Sequence, residues 1–299
     1  MAVAEKRILI IGTSGFVGRH LYAELGNDQA IGTYHDNALP NLVYFDALAM
    51  DLQDLILDPE SISCAVLLLG DTKPNSCALN PVESRALNVD AIKRILDRLA
   101  DWEIKPVFTS SEVVFDGEQG NYVEADIPTS ILKYGQQKLE IEAYIKEKFE
   151  DYLILRLGTV LGVNQGDGTL LTSWSESIAT GAECLCASDF INTPVFIDDV
   201  VKSITGLIAN DSSGIFHVSS EVPVSRLELH QILLNEMKVY KTLDGAEGIP
   251  CSIHDFDLPE KRPLNVSMRP SKLKDELAIS MTPVEDMCAA IAGKVLQSN

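Results

Sequence analysis

Tyr134 and Lys138 stand four residues apart in a segment of helical periodicity, so both side chains lie on one face of the predicted helix. Ser111 precedes Tyr134 by 23 residues, at the end of an apolar run typical of a strand. A free tyrosine has a pKa of about 10 and is a poor acid or base at neutral pH, but a neighbouring ammonium group favours its phenolate. The three residues predict an acid–base site, in which Tyr134 transfers a proton and Ser111 hydrogen-bonds the reacting oxygen. The alternative is that Tyr134 is only an aromatic residue at the start of a helix, because this Tyr–Lys spacing is common by chance.

Three glycines, Gly12, Gly15 and Gly18, follow the first apolar run and open the first helical pattern. Glycine lets the backbone turn tightly and approach a pyrophosphate, and a helix N-terminus offers free N–H groups to that anion. The spacing is G-x-x-G-x-x-G rather than the G-x-G-x-x-G of most dinucleotide dehydrogenases. The segment predicts a dinucleotide-binding turn, and the alternative is a turn with only a packing role. Its predicted cofactor residues are Gly12, Thr13, Ser14, Gly15, Phe16, Val17 and Gly18.

Two charged residues bear on the kind of dinucleotide. Asp36 follows the second predicted strand, 24 residues after Gly12, where a carboxylate would bind the adenosine ribose hydroxyls and favour NAD. Arg19, just past the last glycine, would instead favour NADP, and both charges could equally be solvated surface groups. The choice between NADP and NAD is therefore left open. Asp51 and Leu52 follow the third strand region and are predicted to contact the adenine.

The composition excludes several classes of protein. The chain has 299 residues, 46 % of them hydrophobic, and a formal net charge of −20. General nucleic-acid binding depends on cations that displace phosphate counterions, so it is not expected here. No apolar stretch approaches the ~20 residues of a spanning helix and no signal peptide is visible, so we expect a cytoplasmic protein without a membrane partner. The six cysteines are predicted to be free thiols, and no histidine spacing matches Cys184 and Cys186, so no metal is expected.

Short apolar runs alternate with helical patterns through the first two thirds of the chain. Strands that are apolar on both faces and alternate with helices indicate a parallel sheet covered by helices on both sides. We predict an α/β protein with a doubly wound, Rossmann-type sheet and a smaller C-terminal substrate lobe. Residues 1–160 and about 190–220 are assigned to dinucleotide binding, and about 161–189 and 221–299 to substrate binding. The predicted strands are 7–11, 30–34, 65–69, 107–110, 152–157 and 215–218, with helices at 81–100 and 134–149.

Together these residues resemble the extended short-chain dehydrogenase/reductase family, within the NAD-dependent epimerase/dehydratase superfamily. The sequence is most similar to the dTDP-4-dehydrorhamnose reductase branch, which also contains the regulatory beta subunit of methionine adenosyltransferase. The resemblance extends from Arg7 to Leu273. The matching segments are Ser110-Ser111-Glu112-Val113-Val114-Phe115-Asp116-Gly117, Glu124 with Asp126 and Pro128, Tyr134-Gly135 with Lys138-Leu139 and Glu142, Leu155-Arg156 with Gly162, Thr193-Pro194 with Asp199-Val200, Gly214-Ile215-Phe216-His217-Val218-Ser219, Arg262-Pro263 with Asn265, and Ser271-Lys272-Leu273.

The resemblance implies NAD(P)H-dependent reduction of a keto group on a nucleotide-linked sugar. Lys138 would also hold the nicotinamide ribose, and Arg262 would bind the diphosphate of the nucleotide sugar. Thr109 and Glu112 flank the strand end at Ser111, where folds of this kind bind ligands, and are predicted to contact cofactor and substrate, respectively. The implied catalytic residues are Ser111, Tyr134 and Lys138. The implied cofactor residues are Gly12 through Val17, Asp51, Leu52, Leu69, Gly70, Asn88 and Leu157.

The sequence departs from this branch mainly on the substrate side. Residues 69–75 replace the usual Ala-Ala run, and Arg269 replaces the Asp of the C-terminal motif. These departures argue against rhamnose synthesis itself as the reaction. The alternatives are a nucleotide-sugar epimerase that retains NAD⁺, a non-catalytic NADP-binding regulatory subunit, and a structural protein without a ligand. The oligomeric state is left open, although a homodimer through surface helices is common in this fold.

Overall fold

The computed structural model describes residues 6–55, 58–164, 166–241, 243 and 246–297. The chain divides into two compact units. The first comprises the chain up to Val114, Leu132–Arg156 and Ile204–Phe216, and the second comprises Phe115–Ile131, Leu157–Ser203 and the chain from His217 onward. The predicted domain boundaries differ from these units, notably at 115–131, and the ligand assigned to each domain stays a prediction. None of the helices in the described residues is long and apolar enough to cross a membrane.

Strands and helices alternate through the first part of the described chain. The strands are β1 (Arg7–Ile11), β2 (Ala30–Tyr34), β3 (Val43–Tyr44), β4 (Ile62–Leu67), β5 (Lys105–Ser111), β6 (Leu153–Leu157), β7 (Val160–Leu161), β8 (Cys184–Ala187), β9 (Ile191–Asn192), β10 (Val195–Phe196), β11 (Gly214–Val218), β12 (Val224–Ser225) and β13 (Gly248–Cys251). The helices are α1 (Phe16–Gln29), α2 (Pro74–Leu79), α3 (Pro81–Arg85), α4 (Ile92–Asp101), α5 (Lys133–Lys148), α6 (Leu170–Ala179), α7 (Ile197–Ala209), α8 (Arg226–Lys238), α9 (Ser271–Leu277) and α10 (Val284–Gln297). A π-helical segment, Ala86–Ala91, joins α3 to α4.

The main sheet has seven strands in the order β3-β2-β1-β4-β5-β6-β11. The neighbours from β3 to β5 pair in parallel, with Leu9 opposite Ile31 on one side and Ala65 on the other. The strand order runs outward from β1 in both directions, which is the doubly wound arrangement of a Rossmann-type fold. The predicted α/β class is therefore confirmed, and β1 and β2 have the predicted bounds.

The central strands are buried on both faces, because Leu9 and Ile10 point to opposite sides of β1 and neither is exposed. Helices α4 and α5 place their apolar faces in one core cluster with the strands. The apolar residues of these helices in the cluster are Ile92, Ile95, Leu96, Leu99, Ile141 and Ile145. This packing places α5 on the sheet and leaves its first turn beside the end of β5.

The segment predicted as one helix over 81–100 has three parts in the structure. Helix α3 and helix α4 have ordinary α-helical geometry, and Ala86–Ala91 between them is π-helical. A π segment inserts a residue into the hydrogen-bond ladder, and such segments occur frequently at functional sites. Asn88 lies within it and is buried. The apolar period of the sequence cannot show this, because it continues across the segment.

The second unit has a separate apolar core. Helices α6, α8 and α10 contribute Trp174, Leu233 and Ile291 to it, among others. Helix α8 begins at a capping box, in which the backbone N–H of Glu228 donates to Ser225 Oγ at 3.1 Å and the backbone N–H of Ser225 donates to the Glu228 carboxylate at 2.7 Å. The strands β8 and β13 pair in parallel in a sheet of their own.

Candidate active site

The glycine turn after β1 depends on the absence of side chains. Gly12 has a φ of +95°, in the left-handed region that favours glycine. A Cβ at Gly12 would lie 2.9 Å from the carbonyl carbon of Leu68 and 2.9 Å from the backbone nitrogen of Leu69. A Cβ at Gly18 would lie 2.5 Å from the carbonyl oxygen of Gly12. The glycines therefore let α1 approach the turn, and let the turn approach the loop after β4.

The start of α1 fits an anion. Its N-cap is Gly15, which makes no side-chain cap hydrogen bond, and its first turn contains no acidic residue. Gly15 is exposed, and Ser14 and Phe16 are partly exposed. The first N–H groups of a helix have no partner within the helix, and they carry the positive end of its dipole. The turn therefore fits the pyrophosphate of a dinucleotide.

Thr13, in the middle of this turn, stabilises the turn itself. Thr13 Oγ1 donates to the carbonyl oxygen of Ile10 at 2.8 Å and accepts from the backbone N–H of Thr33 at 3.0 Å. The backbone N–H of Gly12 donates to Thr33 Oγ1 at 3.1 Å. Because the Thr13 side chain is fully buried, it ties the turn to β2 and presents no hydroxyl at the surface.

We expect Gly12→Ala to destabilise the protein more than Gly26→Ala does. Both glycines have positive φ, and the φ of 72° and ψ of 173° at Gly26 lie in a region that essentially only glycine adopts, so either alanine has a backbone cost of ~1–3 kcal/mol. Within the described residues a Cβ at Gly26 meets nothing within 4 Å, whereas a Cβ at Gly12 meets the Leu68–Leu69 backbone. The overlap adds ~1–3 kcal/mol at Gly12. Urea unfolding measures both variants, and equal free energies of unfolding would contradict the close approach at Gly12.

The charged residues predicted at the adenosine end have different surroundings. Asp36 follows β2, and its exposed carboxylate lies 3.0 Å from His35 Nδ1. Asp51 accepts hydrogen bonds from Arg98 at 3.0 and 3.3 Å, and this pairing lowers the pKa of Asp51. Leu52 is buried in the core cluster. Any contact of Leu52 with an adenine would therefore be made through its backbone, while the Asp36 carboxylate is accessible to a ligand.

The three predicted catalytic residues lie together in the first unit. Ser111 is the last residue of β5, and Tyr134 and Lys138 lie in the first two turns of α5. The Ser111 side chain lies close enough to the Tyr134 hydroxyl to lower its pKa against the effect of burial. Lys138 Nζ donates to the carbonyl oxygen of Thr109 at 2.9 Å and lies 5.7 Å from the centre of the Tyr134 ring. The structure therefore places a buried phenol near a hydroxyl and an ammonium group, at the carboxyl end of a central strand.

Burial shifts the pKa values of both titratable groups in this arrangement. It raises the pKa of Tyr134, with the neighbouring Cys77 and Asp71 acting in the same direction and the hydrogen bond of Ser111 opposing. It lowers the pKa of Lys138 to about 8, against the charge of Glu142. Burial is the largest of these effects, so the net shift of the Tyr134 pKa is upward, and a lowering of this pKa by Lys138 stays a prediction. Tyr134 is a neutral phenol at neutral pH, which is the form that donates a proton.

Asn88, predicted to contact the cofactor, fixes the loop after β4. Its Oδ1 accepts from the backbone N–H of Asp71 at 2.8 Å, and its Nδ2 donates to the Asp71 carbonyl oxygen at 2.9 Å and to Gln137 Oε1 at 2.8 Å. Gly70 has a φ of +138°, and a Cβ there would lie 2.8 Å from Asn88 Oδ1. Asn88 therefore joins the Leu69–Gly70 loop to α5, the helix that carries Tyr134.

A buried ion pair behind the site was not predicted to have a role. Arg156 on β6 donates to the Glu142 carboxylate from Nε at 3.0 Å and from Nη2 at 2.7 Å. Ser110 Oγ donates to the same carboxylate at 2.6 Å. Glu142 lies one turn after Lys138 on α5, so the cluster fixes this helix to β5 and β6. In the sequence, these residues were marked only by the match of Glu142 and Leu155-Arg156 to the family pattern.

The predicted substrate residues lie in both units. In the first unit, Glu112 directly follows Ser111 in a short 3-10 turn and is buried. In the second, Arg262 is partly buried, and this burial lowers its pKa against the opposing charge of Glu260. Leu157 is the last residue of β6 and is partly exposed. Contacts of these residues with substrate or cofactor stay predictions.

Several residues of the family pattern have structural roles in the second unit. Asp116 accepts from the hydroxyl groups of Tyr122 at 2.6 Å and Thr129 at 2.8 Å. Glu124 accepts from the backbone N–H of His217 at 2.9 Å. The backbone N–H of Asn265 donates to the carbonyl oxygen of Gly117 at 3.0 Å. These bonds join distant parts of the chain, so these motif residues stabilise the unit.

Known proteins share both the sequence pattern and the fold. The probable low-salt glycan biosynthesis reductase Agl14 of Haloferax volcanii is 28 % identical over 298 residues, covering 94 % of this chain and 96 % of the relative. The methionine adenosyltransferase 2 subunit beta of Danio rerio is 24 % identical over 292 residues, covering 94 % of this chain and 88 % of the relative. The crystal structure of a dTDP-4-dehydrorhamnose reductase from Bacillus anthracis in complex with NADP has the same fold, with a TM-score of 0.79, 19 % identity, and coverage of 95 % of this chain and 97 % of that one.

The family assignment rests on a match along nearly the whole chain. The sequence profile of the RmlD substrate binding domain covers residues 6–296, and so includes the glycine turn, the Tyr134 site and the C-terminal motifs. The resemblance to the dTDP-4-dehydrorhamnose reductase branch is thereby confirmed at the family level. The chain belongs to the RmlD substrate binding domain family.

Proposed function

We propose that this protein is an NAD(P)H-dependent reductase of a keto group on a nucleotide-linked sugar. The observation that carries the proposal is the buried arrangement of Ser111, Tyr134 and Lys138 at the carboxyl end of β5. The loop after β4 links this arrangement to the glycine turn, because Gly12 lies against Leu68–Leu69 and Thr109 Oγ1 donates to the carbonyl oxygen of Leu67 at 3.0 Å. Membership in the family supports the same class of reaction.

The residues of the first unit suit a nicotinamide dinucleotide. The backbone N–H groups at the start of α1 would hold its pyrophosphate, because those of Gly12, Thr13 and Gly15 already donate to β2 or within the turn. Lys138 would hold the nicotinamide ribose, and the exposed Asp36 would bind the adenosine ribose of NAD, whereas Arg19 would favour NADP. The cofactor supplies a hydride when it is bound. The structure of the Bacillus anthracis reductase contains NADP, so both cofactors belong in the test.

The side chains at the end of β5 would supply the proton that reduction of a carbonyl needs. Tyr134 donates its phenolic proton to the sugar oxygen, and Ser111 hydrogen-bonds that oxygen as negative charge develops on it. The ammonium group of Lys138 then stabilises the tyrosine phenolate. Because the carbonyl carbon gains a hydride and its oxygen gains the Tyr134 proton, the product is an alcohol. The raised pKa of Tyr134 suits this direction, since the donor must start protonated.

Turnover in the reductive direction is expected to fall as the pH rises through about 8, the pKa of Lys138. Below this pH the lysine is an ammonium group that stabilises the Tyr134 phenolate, and above it the lysine is neutral. Tyr134 stays protonated over the same range, because burial raises its pKa. The measurement is kcat/KM for the sugar from pH about 6 to about 10, because kcat/KM reports the pKa values of the enzyme before the sugar binds. A flat profile through pH 8 would exclude this role for the Lys138 charge.

A substrate panel tests the proposal. Oxidation of NADH and NADPH is followed by near-ultraviolet absorbance in the presence of nucleotide 4-keto sugars that differ in sugar and in base. Sustained oxidation that depends on one sugar supports the reductase and identifies its cofactor and substrate class. Cofactor binding with no oxidation by any sugar in the panel would overturn it.

A non-catalytic, NADP-binding regulatory subunit is the second candidate. The specific observation in its favour is the methionine adenosyltransferase 2 subunit beta, whose match covers 94 % of this chain. The departures at 69–75 and Arg269 also fall on the substrate side. If the protein is such a subunit, the Ser111–Tyr134–Lys138 arrangement has no catalytic role. The chain then binds the dinucleotide, but no sugar in the panel causes its oxidation.

A further inference from the structure

The second unit brings together two cysteines and a histidine that are far apart in the sequence. Cys184 and Cys186 lie two residues apart on β8, so their side chains share one face of the strand. His230 lies on α8. The two Sγ atoms and a ring nitrogen of His230 are all within 4.8 Å of one another. The sequence spacing predicted no metal, because the histidine comes from a different element.

The surroundings of His230 also point to a ligand at this cluster. Its side chain is fully buried, and neither Nδ1 nor Nε2 has a hydrogen-bond partner among the described residues. Its ring packs edge-on against Trp174, with ring centres 5.3 Å apart, and this contact satisfies neither nitrogen. Buried polar atoms without partners cost free energy and are rare in folded proteins. A cation bound by a ring nitrogen would satisfy one of them.

A glycine borders the same space. Gly248 on β13 lies opposite Cys184 in the parallel pairing with β8. A Cβ at Gly248 would lie 2.9 Å from His230 Nδ1 and 3.3 Å from Cys186 Sγ. The absence of a side chain at this position therefore leaves the histidine nitrogen and the sulfur atom accessible to each other and to a small ion.

We propose that Cys184, Cys186 and His230 form a binding site for a thiophilic d¹⁰ metal ion, Zn²⁺ or Cu⁺. Two thiolates and an imidazole are donors that these ions prefer, and hard cations such as Mg²⁺ and Ca²⁺ prefer oxygen. Binding releases the thiol protons, because the metal ligands are thiolates. Cys184 is partly exposed and provides the entry path, whereas Cys186 and His230 are buried. The ion would join β8 to α8 within the second unit.

The test uses the full chain, purified free of metal and reduced with a reagent that contains no thiol. The protein is equilibrated with Zn²⁺ alone or, without oxygen, with Cu⁺ alone, and desalted before the metal is measured by mass spectrometry. We expect one ion per chain after incubation with at least one of the two metals. Cys184→Ser and Cys186→Ser should each raise the dissociation constant at least about tenfold. Less than half an equivalent in both arms would overturn the proposal.

The matched control is Cys251→Ser. Cys251 lies on the neighbouring strand β13, is partly exposed like Cys184, and pairs opposite Ala187 rather than either proposed ligand. Its substitution should leave the metal stoichiometry and affinity unchanged. Equal weakening by Cys251→Ser and Cys184→Ser would show unspecific thiol binding and overturn the site. If the chain binds Zn²⁺, Co²⁺ gives a readout on the unsubstituted chain, because thiolate ligation produces a near-ultraviolet charge-transfer band, and absence of that band from the Co²⁺-loaded chain would overturn thiolate ligation.

Discussion

Replacing Tyr134 with phenylalanine is expected to lower kcat for keto-sugar reduction by ~10²–10⁴-fold, the usual contribution of a general acid. The ring would fill the same buried space beside Lys138, but it would have no proton to give to the sugar oxygen. The glycine turn lies on other elements, so the dissociation constant of the cofactor should change less than about threefold. Steady-state kinetics and a cofactor titration on the same preparation measure both quantities.

The control for this variant is Tyr144→Phe, a change of the same kind ten residues later on α5. The Tyr144 hydroxyl is hydrogen-bonded to Asp97, and its ring lies beside Lys93 and Lys148 rather than Ser111. We expect this variant to keep its kcat. If Tyr134→Phe also keeps more than about a tenth of kcat, Tyr134 is not the proton donor.

Glu142→Gln is expected to destabilise the protein by ~3–5 kcal/mol, as the loss of one partner of a buried ion pair does. The Glu142 carboxylate accepts from Ser110 and from two nitrogens of Arg156, and all three residues are buried. A glutamine amide has the size of the carboxylate, but it removes the negative charge beside Arg156 and turns an N–H group toward other donors. The free energy of unfolding in urea measures the loss.

Glu140→Gln is the matched control, because the same change is made two residues earlier on the same helix. Glu140 pairs with Arg85 at 2.8 Å and with Lys93 at 2.6 Å, but its side chain is 34 % exposed. Partly exposed pairs contribute ~0–1 kcal/mol, so this variant should lose little stability. Equal losses in the two variants would mean that burial does not set the strength of the Glu142–Arg156 pair.

Much of the first unit could be predicted from local patterns. The apolar runs over 7–11 and 30–34 became strands with those bounds, and the period over 134–149 matched α5 within a residue at each end. These signals are reliable because buried parallel strands and their covering helices each have a hydrophobic pattern of their own. The π-helical Ala86–Ala91 was missed, because the apolar period of the sequence continues across it.

The site was predictable where the chemistry depends on neighbouring positions. Tyr134 and Lys138 share a helix face by spacing alone, and Ser111 was predicted from its position at the end of an apolar run. The roles of Thr13 and Asn88 were not predictable, because both side chains bond to residues on other elements. The cluster of Cys184, Cys186 and His230 was missed for the same reason, since residues from β8 and α8 meet only in the folded chain.

The most direct test of the proposed reaction follows a labelled hydride. The chain is incubated with NADH or NADPH that carries deuterium at the transferred position, together with the keto sugar that supports oxidation, and the product sugar is analysed by mass spectrometry. We expect one deuterium on the former carbonyl carbon for each cofactor oxidised, and labelled product formed ~10²–10⁴-fold more slowly by Tyr134→Phe. An unlabelled sugar isomer with no net oxidation of the cofactor would indicate an epimerase. A bound dinucleotide with an unchanged sugar would indicate the regulatory subunit, and either result would contradict the reductase.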